Sequence, residues 1–122
     1  MYAALISPAP PPAADGVDPN TTTAAVGMAL FFYNYSTWRS APGIYLEDLY
    51  VRPHARGKGF GLALLRYLAR HTVEIGGKRL EWSVLTWNEP SIRFYKQLGA
   101  KSMDEWMKMM LDGYALSQLA HG

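Results

Sequence analysis

The chain has 122 residues, is 49% hydrophobic, carries a formal net charge of +2 and contains no cysteine. This length and composition predict a single domain, residues 1–122, with a hydrophobic core of its own. The absence of cysteine excludes disulfides, thiolate zinc sites and a thiol nucleophile. The three histidines are scattered without ligand spacing, so we expect no metal site.

The same sequence argues against membrane and nucleic-acid partners. A membrane-spanning helix needs about 20 consecutive apolar residues, and the apolar run AAVGMALFFY at 24–33 is half that length. The N-terminus lacks the basic region of a secretory signal, so we expect a cytoplasmic protein. Residues 52–79 hold seven Lys and Arg residues, three of them in one loop at 52, 56 and 58, and charge centred on one loop gives a nucleic-acid-binding function weak support.

The first half of the chain predicts three strands. Residues 2–6 favour a short strand, and residues 7–23 are a proline-rich loop. An apolar, aromatic run at 24–33 suits a buried strand, and 34–43 is a long connector with turn residues. The run IYLEDLYV at 44–51 predicts the next strand.

The second half alternates helices with strands. Apolar residues at spacings of three and four predict the first helix, which a pair of glycines ends. The predicted elements are a helix from about Gly61 to Ile75, a strand at 79–86, a helix from Pro90 to Gly99, a strand from residue 105 and a possible helix at 114–120. This alternation predicts an α/β domain with a mixed sheet.

The segment VRPHARGKGFG, at 51–61, links a predicted strand to the start of a helix. It carries glycines at alternate positions, Gly57, Gly59 and Gly61, and the basic residues Arg56 and Lys58. Helix N-termini have unpaired N–H groups and a positive dipole, and glycines let a bulky phosphate approach the main chain. The segment predicts an anion-binding loop, and the alternative is a tight turn with solvated bases.

This segment resembles the acyl-CoA pyrophosphate loop of the GCN5-related N-acetyltransferases (GNAT). That loop has the core pattern Arg/Gln-x-x-Gly-x-Gly/Ala, matched here by Arg56, Gly59 and Gly61. The neighbouring YLEDLYV and the WNEPSIRFYKQLGA of 87–100 resemble the polyamine and thialysine N-acetyltransferase branch. The resemblance implies a GNAT-like α/β fold, with a mostly antiparallel mixed sheet and flanking helices. It also implies acetyl transfer from acetyl-CoA to a primary amine of a polyamine, thialysine or similar small molecule.

The resemblance also implies which residues bind acetyl-CoA. The loop would hold the pyrophosphate, and the strand before it would part from its neighbour and offer main-chain groups to the pantetheine arm. Asn88 would either reach the cofactor or cap the following helix. The implied contacts are Leu49, Val51, Arg56, Gly57, Lys58, Gly59, Gly61, Leu62, Asn88 and Ser91.

Tyr95 is the candidate acid for the departing thiolate. A phenol with a pKa near 10 stays protonated at neutral pH, and the tyrosine of the FY pair has that role in the family it resembles. The alternative is a packed aromatic side chain.

Two carboxylates and two aromatic residues are the candidates for handling the amine. The resemblance suggests that Glu47 deprotonates the amine through water and that Asp48 attracts the cation. A regular strand turns successive side chains to opposite faces, so a bulge is needed to present both. The alternative is ion pairing with Arg52 or Arg79. Tyr35 and Trp38 could line the amine channel, although packing is the alternative for each.

The resemblance begins late in the family's fold. Members of the family open with a strand and two helices, whereas Met1–Ser7 provides one strand, so we expect an N-terminally truncated domain with an incomplete acceptor side. An uncovered sheet face and edge would favour a homodimer formed by swapping the terminal strand. The alternative function is a catalytically impaired CoA-binding or regulatory domain.

Overall fold

A computed structural model describes residues 1–8, 24–37 and 39–122, so most of the predicted proline-rich loop lies outside the described residues. The described chain forms two compact units, Met1–Ser83 and Val84–Gly122. The strands are β1 (Tyr2–Ile6), β2 (Gly27–Ser36), β3 (Ala41–Val51) and β4 (Arg79–Trp82); the helices are α1 (Phe60–Glu74), α2 (Glu89–Gln97) and α3 (Gly113–His121), with a short 3-10 turn at Pro53–Ala55. The single domain stays a prediction.

The first unit is a four-stranded sheet with one helix on it. The strand order is β1-β2-β3-β4. The first two pairings are antiparallel, whereas β3 and β4 are parallel. They are parallel because α1 carries the chain back to the end of the sheet at which β3 begins. The predicted α/β fold with a mixed, mostly antiparallel sheet is confirmed.

The connector predicted at 34–43 is wrong. β2 runs to Ser36 and β3 begins at Ala41, so the two strands form a hairpin with a short turn. The turn-forming residues of this segment misled the prediction, because Gly43 serves a different purpose. A Cβ on Gly43 would lie 2.6 Å from the Asn34 side-chain oxygen, so the glycine makes room for its cross-strand partner.

The core lies between α1 and one face of the sheet, here called the helix face. Leu64, Leu65 and Leu68 of α1 are buried against it, and Ile44 and Leu68 are almost fully enclosed. Thr72 satisfies its buried hydroxyl by donating to the Leu68 carbonyl oxygen at 2.7 Å. Strand register and alternation place these sheet residues on the helix face: Gly27, Ala29, Phe31, Ile44, Leu46, Leu49 and Val51.

The opposite side of the sheet is here called the far face. It carries the residues that alternate along the strands with those of the helix face: Leu5, Met28, Leu30, Phe32, Tyr45 and Tyr50. Leu5 is 67% exposed and Phe32 is 39% exposed. The far face is therefore apolar and partly open to water in the first unit.

The second unit contains α2 and α3. Asn88 caps α2 and accepts a hydrogen bond from the Ser91 backbone N–H at 3.4 Å, and α3 confirms the predicted terminal helix. The strand predicted from residue 105 is wrong, because residues 101–112 form neither strand nor helix and are exposed. A strand needs a paired neighbour to satisfy its backbone groups, which an apolar pattern alone does not supply.

No helix in the described ranges combines the length and the apolar character required to cross a membrane.

Candidate functional site

The glycine loop has a backbone that requires glycine at two positions. Gly57 and Gly59 have φ angles of +77° and +84°, a conformation that costs other L-residues energy. Among the described residues, and apart from the immediate chain neighbours, no heavy atom lies within 4 Å of where a Cβ on either glycine would be. The main chain at both positions therefore adjoins open space that a ligand can enter.

The loop ends in an uncapped helix N-terminus. Gly59 is the N-cap of α1, no side chain bonds to the first turn, and the first turn carries no acidic residue. The first N–H groups of a helix have no intrahelical partner, and the dipole makes this end positive. Arg56 and Lys58 are exposed beside it, so the loop can bind an anion such as a pyrophosphate.

Two arginines at the start of the loop bond to backbone carbonyl oxygens. Arg56 donates from Nε to the Val51 carbonyl oxygen at 3.0 Å, and its guanidinium carbon lies 5.8 Å from the centroid of the Tyr50 ring. Arg52 donates from Nε to the Ala25 carbonyl oxygen at 2.8 Å. Since a guanidinium has five N–H donors, Arg56 can hold the loop and still offer donors to an anion.

The pairing of β3 with β4 ends before β3 reaches the loop. Their pairing covers Gly43–Leu46 on β3, and β4 ends at Trp82, whereas β3 continues to Val51. The resemblance implied such a separation. Leu49 and Val51, beyond the paired region, lie next to Gly61, whose Cβ position is 3.9 Å from each side chain. The Val51 carbonyl is already an acceptor for Arg56.

A β-bulge in β3 places the two candidate carboxylates on one face. Leu30 is registered with Asp48 and Phe31 with Leu46, so Glu47 is the extra residue. Leu46 and Leu49 both lie on the helix face, and the two residues between them are therefore both on the far face. Glu47 and Asp48 are exposed there, so both can meet a cationic amine.

The alternative partners of these carboxylates are engaged elsewhere. Arg52 bonds to the Ala25 carbonyl, and Arg79 Nε lies 2.6 Å from Glu81 Oε1. No ion pair of Glu47 or Asp48 is observed among the described residues.

Of the two aromatic residues predicted for the amine channel, Tyr35 does not lie on this face. Alternation along β2 places Tyr35 on the helix-face side, at the exposed end of the hairpin and opposite Glu47 and Asp48. Trp38 lies outside the described residues. The substrate roles of both residues stay predictions.

Three candidate residues, Asn88, Ser91 and Tyr95, belong to the second unit. The Asn88 side chain serves as the N-cap of α2, which is one of its two expected uses. Tyr95 is half-buried, its ring centroid lies 5.6 Å from that of Phe94, and burial raises the pKa of its phenol above 10.0. A raised pKa keeps the phenol protonated, as a general acid requires.

Sequence reasoning missed a hydrogen bond between Tyr45 and Ser83, whose hydroxyl oxygens are 2.7 Å apart. The spacing of Tyr45 two residues before Glu47 hinted at a shared face, but its partner, which follows β4, becomes visible only with the strand register.

Across the described ranges, no group of three or more His, Asp or Glu residues is arranged to hold a metal ion.

The chain is similar in sequence to proteins of a known family. The profile of the Acetyltransferase (GNAT) family matches residues 11–100. The chain is 42% identical over 93 residues to the L-ornithine N5-acetyltransferase of Arabidopsis thaliana, covering 76% of this chain and 41% of that protein. It is 38% identical over 98 residues to the thialysine N-epsilon-acetyltransferase of Bos taurus, covering 78% and 57%.

A solved structure shares the fold. An integron cassette protein from V. cholerae superposes with a TM-score of 0.75 at 31% identity, covering 80% of this chain and 60% of that one. The chain spans about half the length of the curated relatives it matches.

Proposed function

This chain belongs to the acetyltransferase (GNAT) family, in its polyamine and thialysine branch, and we propose that it transfers an acetyl group from acetyl-CoA to a primary amine. The acceptor is a polyamine, an amino acid with a side-chain amine such as thialysine, or a similar small amine. The observation that carries the proposal is the glycine loop at the N-terminus of α1, which follows the part of β3 that β4 does not pair with.

The loop supports the binding of acetyl-CoA. The main chain at Gly57 and Gly59 adjoins open space, and the pyrophosphate would accept hydrogen bonds from the first N–H groups of α1. Arg56 and Lys58 would add positive charge at the rim. The β3 backbone beyond the paired region would lie along the pantetheine arm, since β4 does not continue beside it.

The reaction would be a direct attack on the thioester. The amine nitrogen forms a bond to the acetyl carbonyl carbon and the carbon–sulfur bond breaks, so CoA leaves as a thiolate. Glu47 would take the proton of the amine through water, and Asp48, beside it on the far face, would attract the cationic acceptor. Tyr95 would supply the proton that the thiolate takes up.

A second candidate function is a CoA-binding or regulatory domain with impaired catalysis. It is favoured by the position of Tyr35, which lies on the face of the sheet opposite Glu47 and Asp48. In both functions the proposed partners are small molecules and a second copy of the chain. The cytoplasmic location remains a prediction.

The deciding experiment measures CoA binding by titration calorimetry and acetylation of a panel of polyamines and amino acids. We expect Glu47→Gln to lower kcat by about 100-fold, the range of a general base, and Asp48→Asn to raise chiefly the KM of the amine. Glu74→Gln, which changes an exposed carboxylate on α1, is the matched control. CoA binding without acetylation of any amine would establish the second candidate instead.

A further inference from the structure

The side chains of Tyr45 and Ser83 join β3 to the residue that follows β4. Their hydroxyl oxygens are 2.7 Å apart, and either group can donate the hydrogen bond. Tyr45 is registered with Glu81, so its hydroxyl reaches forward along β4, in the direction in which the strands part. Backbone pairing ends at Leu46 and Trp82. The hydroxyl pair therefore sits at the point of separation.

The position of this bond matters because the backbone alone does not determine where pairing ends. β3 remains extended to Val51, so its unpaired edge could accept a longer β4. The bond holds the Ser83 side chain toward the far face at the residue where the chain leaves the sheet.

A neighbouring ion pair limits the choice of partner for Tyr45. Arg79 and Glu81 lie on the same face of β4 and contact each other at 2.6 Å, with 30% and 22% of their side chains exposed. Glu81 is thus engaged with Arg79. The Tyr45 hydroxyl bonds to the next far-face residue, Ser83.

The groups that would act on acetyl-CoA begin immediately after this bond. Glu47, the bulge residue, is two positions beyond Tyr45 on the same face. The β3 main chain freed from pairing starts after Leu46. A shift in the point of separation would move both relative to the glycine loop.

We propose that Tyr45 and Ser83 are positioning residues, whose hydrogen bond sets where β3 and β4 separate and so aligns the β3 backbone with the thioester of acetyl-CoA. The inference rests on the proposed acetyl transfer. Neither residue touches the reacting atoms in this assignment.

The test compares Tyr45→Phe, Ser83→Ala, the double variant and Ser83→Thr in the full chain. Tyr67→Phe is the matched control, since it removes a tyrosine hydroxyl from the outer part of α1, where the ring stacks on His71. The measurements are the Kd of CoA by calorimetry, the KM of acetyl-CoA, kcat and the melting temperature.

Each single variant should raise the Kd of CoA and the KM of acetyl-CoA by about threefold to tenfold, the range expected for one neutral hydrogen bond. The double variant should be no worse than either single one, because both remove the same bond. Ser83→Thr, which keeps the hydroxyl, should restore the wild-type values, and Tyr67→Phe should leave them unchanged.

Two results would overturn the inference while leaving the proposed function intact. One is a melting temperature that falls in Tyr45→Phe, Ser83→Ala and the double variant while the Kd of CoA and the KM of acetyl-CoA stay unchanged. This result marks a purely structural bond. The other is a double variant whose loss equals the product of the single losses, which shows that the two hydroxyls act independently. A wild-type chain that does not bind CoA would instead remove the proposed function and this inference with it.

Discussion

Glycines 57, 59 and 61 look equivalent in the sequence, but the structure separates them. Gly59 has a φ of +84°, so any side chain there strains the backbone by about 1–2 kcal/mol as well as filling the space beside the loop. Gly61 lies in α1 without a positive φ, and a Cβ there would make ordinary contacts of 3.9 Å with Leu49 and Val51. Gly61 is therefore the position at which ligand binding and folding can be tested apart.

We expect Gly61→Ala to keep or raise stability while weakening CoA binding. Alanine in place of glycine in a helix stabilises by roughly 0.5–1 kcal/mol, whereas the added methyl group, in contact with Leu49 and Val51, would narrow the space beside the first turn of α1 that the pyrophosphate is proposed to occupy. The Kd of CoA, measured by calorimetry, should rise by about tenfold, equivalent to about 1.4 kcal/mol. An unchanged Kd in a stably folded variant would show that the phosphates do not approach this position.

Tyr95 offers a test of the proposed acid. Replacing it with Phe removes one hydroxyl and little volume, so the fold should persist. We expect kcat to fall by about 100-fold with the Kd of CoA little changed. A variant with wild-type turnover would assign Tyr95 to packing.

The same residue predicts a pH dependence of stability. Burial raises the pKa of the Tyr95 phenol above 10.0, so the folded state holds this proton more tightly than the unfolded state. Its contribution to stability is complete below the unfolded pKa and is lost as the pH rises through the folded pKa. Urea unfolding between about pH 9 and 11 should show a steeper decline for the wild type than for Tyr95→Phe, and equal slopes would contradict the shift.

At the scale of elements, the β2–β3 hairpin contains a strained turn residue. Ser40 has a φ of +48° and is the one non-glycine residue with a positive φ among those described. Ser40→Gly should remove a cost of about 1–2 kcal/mol for the left-handed conformation and add about 0.5–1 kcal/mol of unfolded-state entropy. We expect a net gain of roughly 0.5 kcal/mol.

Chemical denaturation measures this gain in the free energy of unfolding. Thr37→Gly is the control in the same turn, because Thr37 has no positive φ and glycine there should destabilise. A loss of stability in Ser40→Gly would show that the serine side chain outweighs the strain.

β3 shows how one extra residue changes the chemistry of a whole strand. The bulge at Glu47 keeps Leu46 and Leu49 on the helix face and moves both acidic residues to the far face. Without it, regular alternation would turn one carboxylate toward α1.

At the scale of the whole molecule, the far face and the β1 edge of the sheet are open as far as the described residues go. Leu5 and Phe32 are exposed on that face, and β1 is the edge strand of the described sheet. Apolar patches and open edges recruit partners. We expect a homodimer in which a second copy covers the far face, with exchange of β1 as the means.

Light scattering at micromolar concentration would detect this dimer. Leu5→Lys, which places a charge on the edge strand, should weaken association by about tenfold. Val73→Lys is the matched control, because it charges an equally apolar and exposed position on α1. A wild-type monomer without dye-binding apolar surface would contradict the dimer.

Local patterns in the sequence were sufficient for the elements that depend on neighbouring residues. The strand at 2–6, the helix predicted from Gly61 to Ile75 and the helix that Asn88 and Pro90 begin all agree with the structure to within a residue or two. Apolar periodicity, glycine stops and caps act over a few residues. The glycine loop was recognisable for the same reason, since its positive φ angles demand a specific residue type.

Only the tertiary structure decided the features that depend on pairing between distant segments. The hairpin across residues 34–43, the bulge at Glu47 and the early end of β4 follow from the register of whole strands. The apolar run from residue 105 has strand composition without a paired neighbour, and the bond between Tyr45 and Ser83 joins positions 38 residues apart. The sequence alone determined which residue types could take part in the chemistry. Where the carboxylates and the unpaired part of β3 lie was decided by backbone hydrogen bonding between strands, because that bonding has no local sequence pattern.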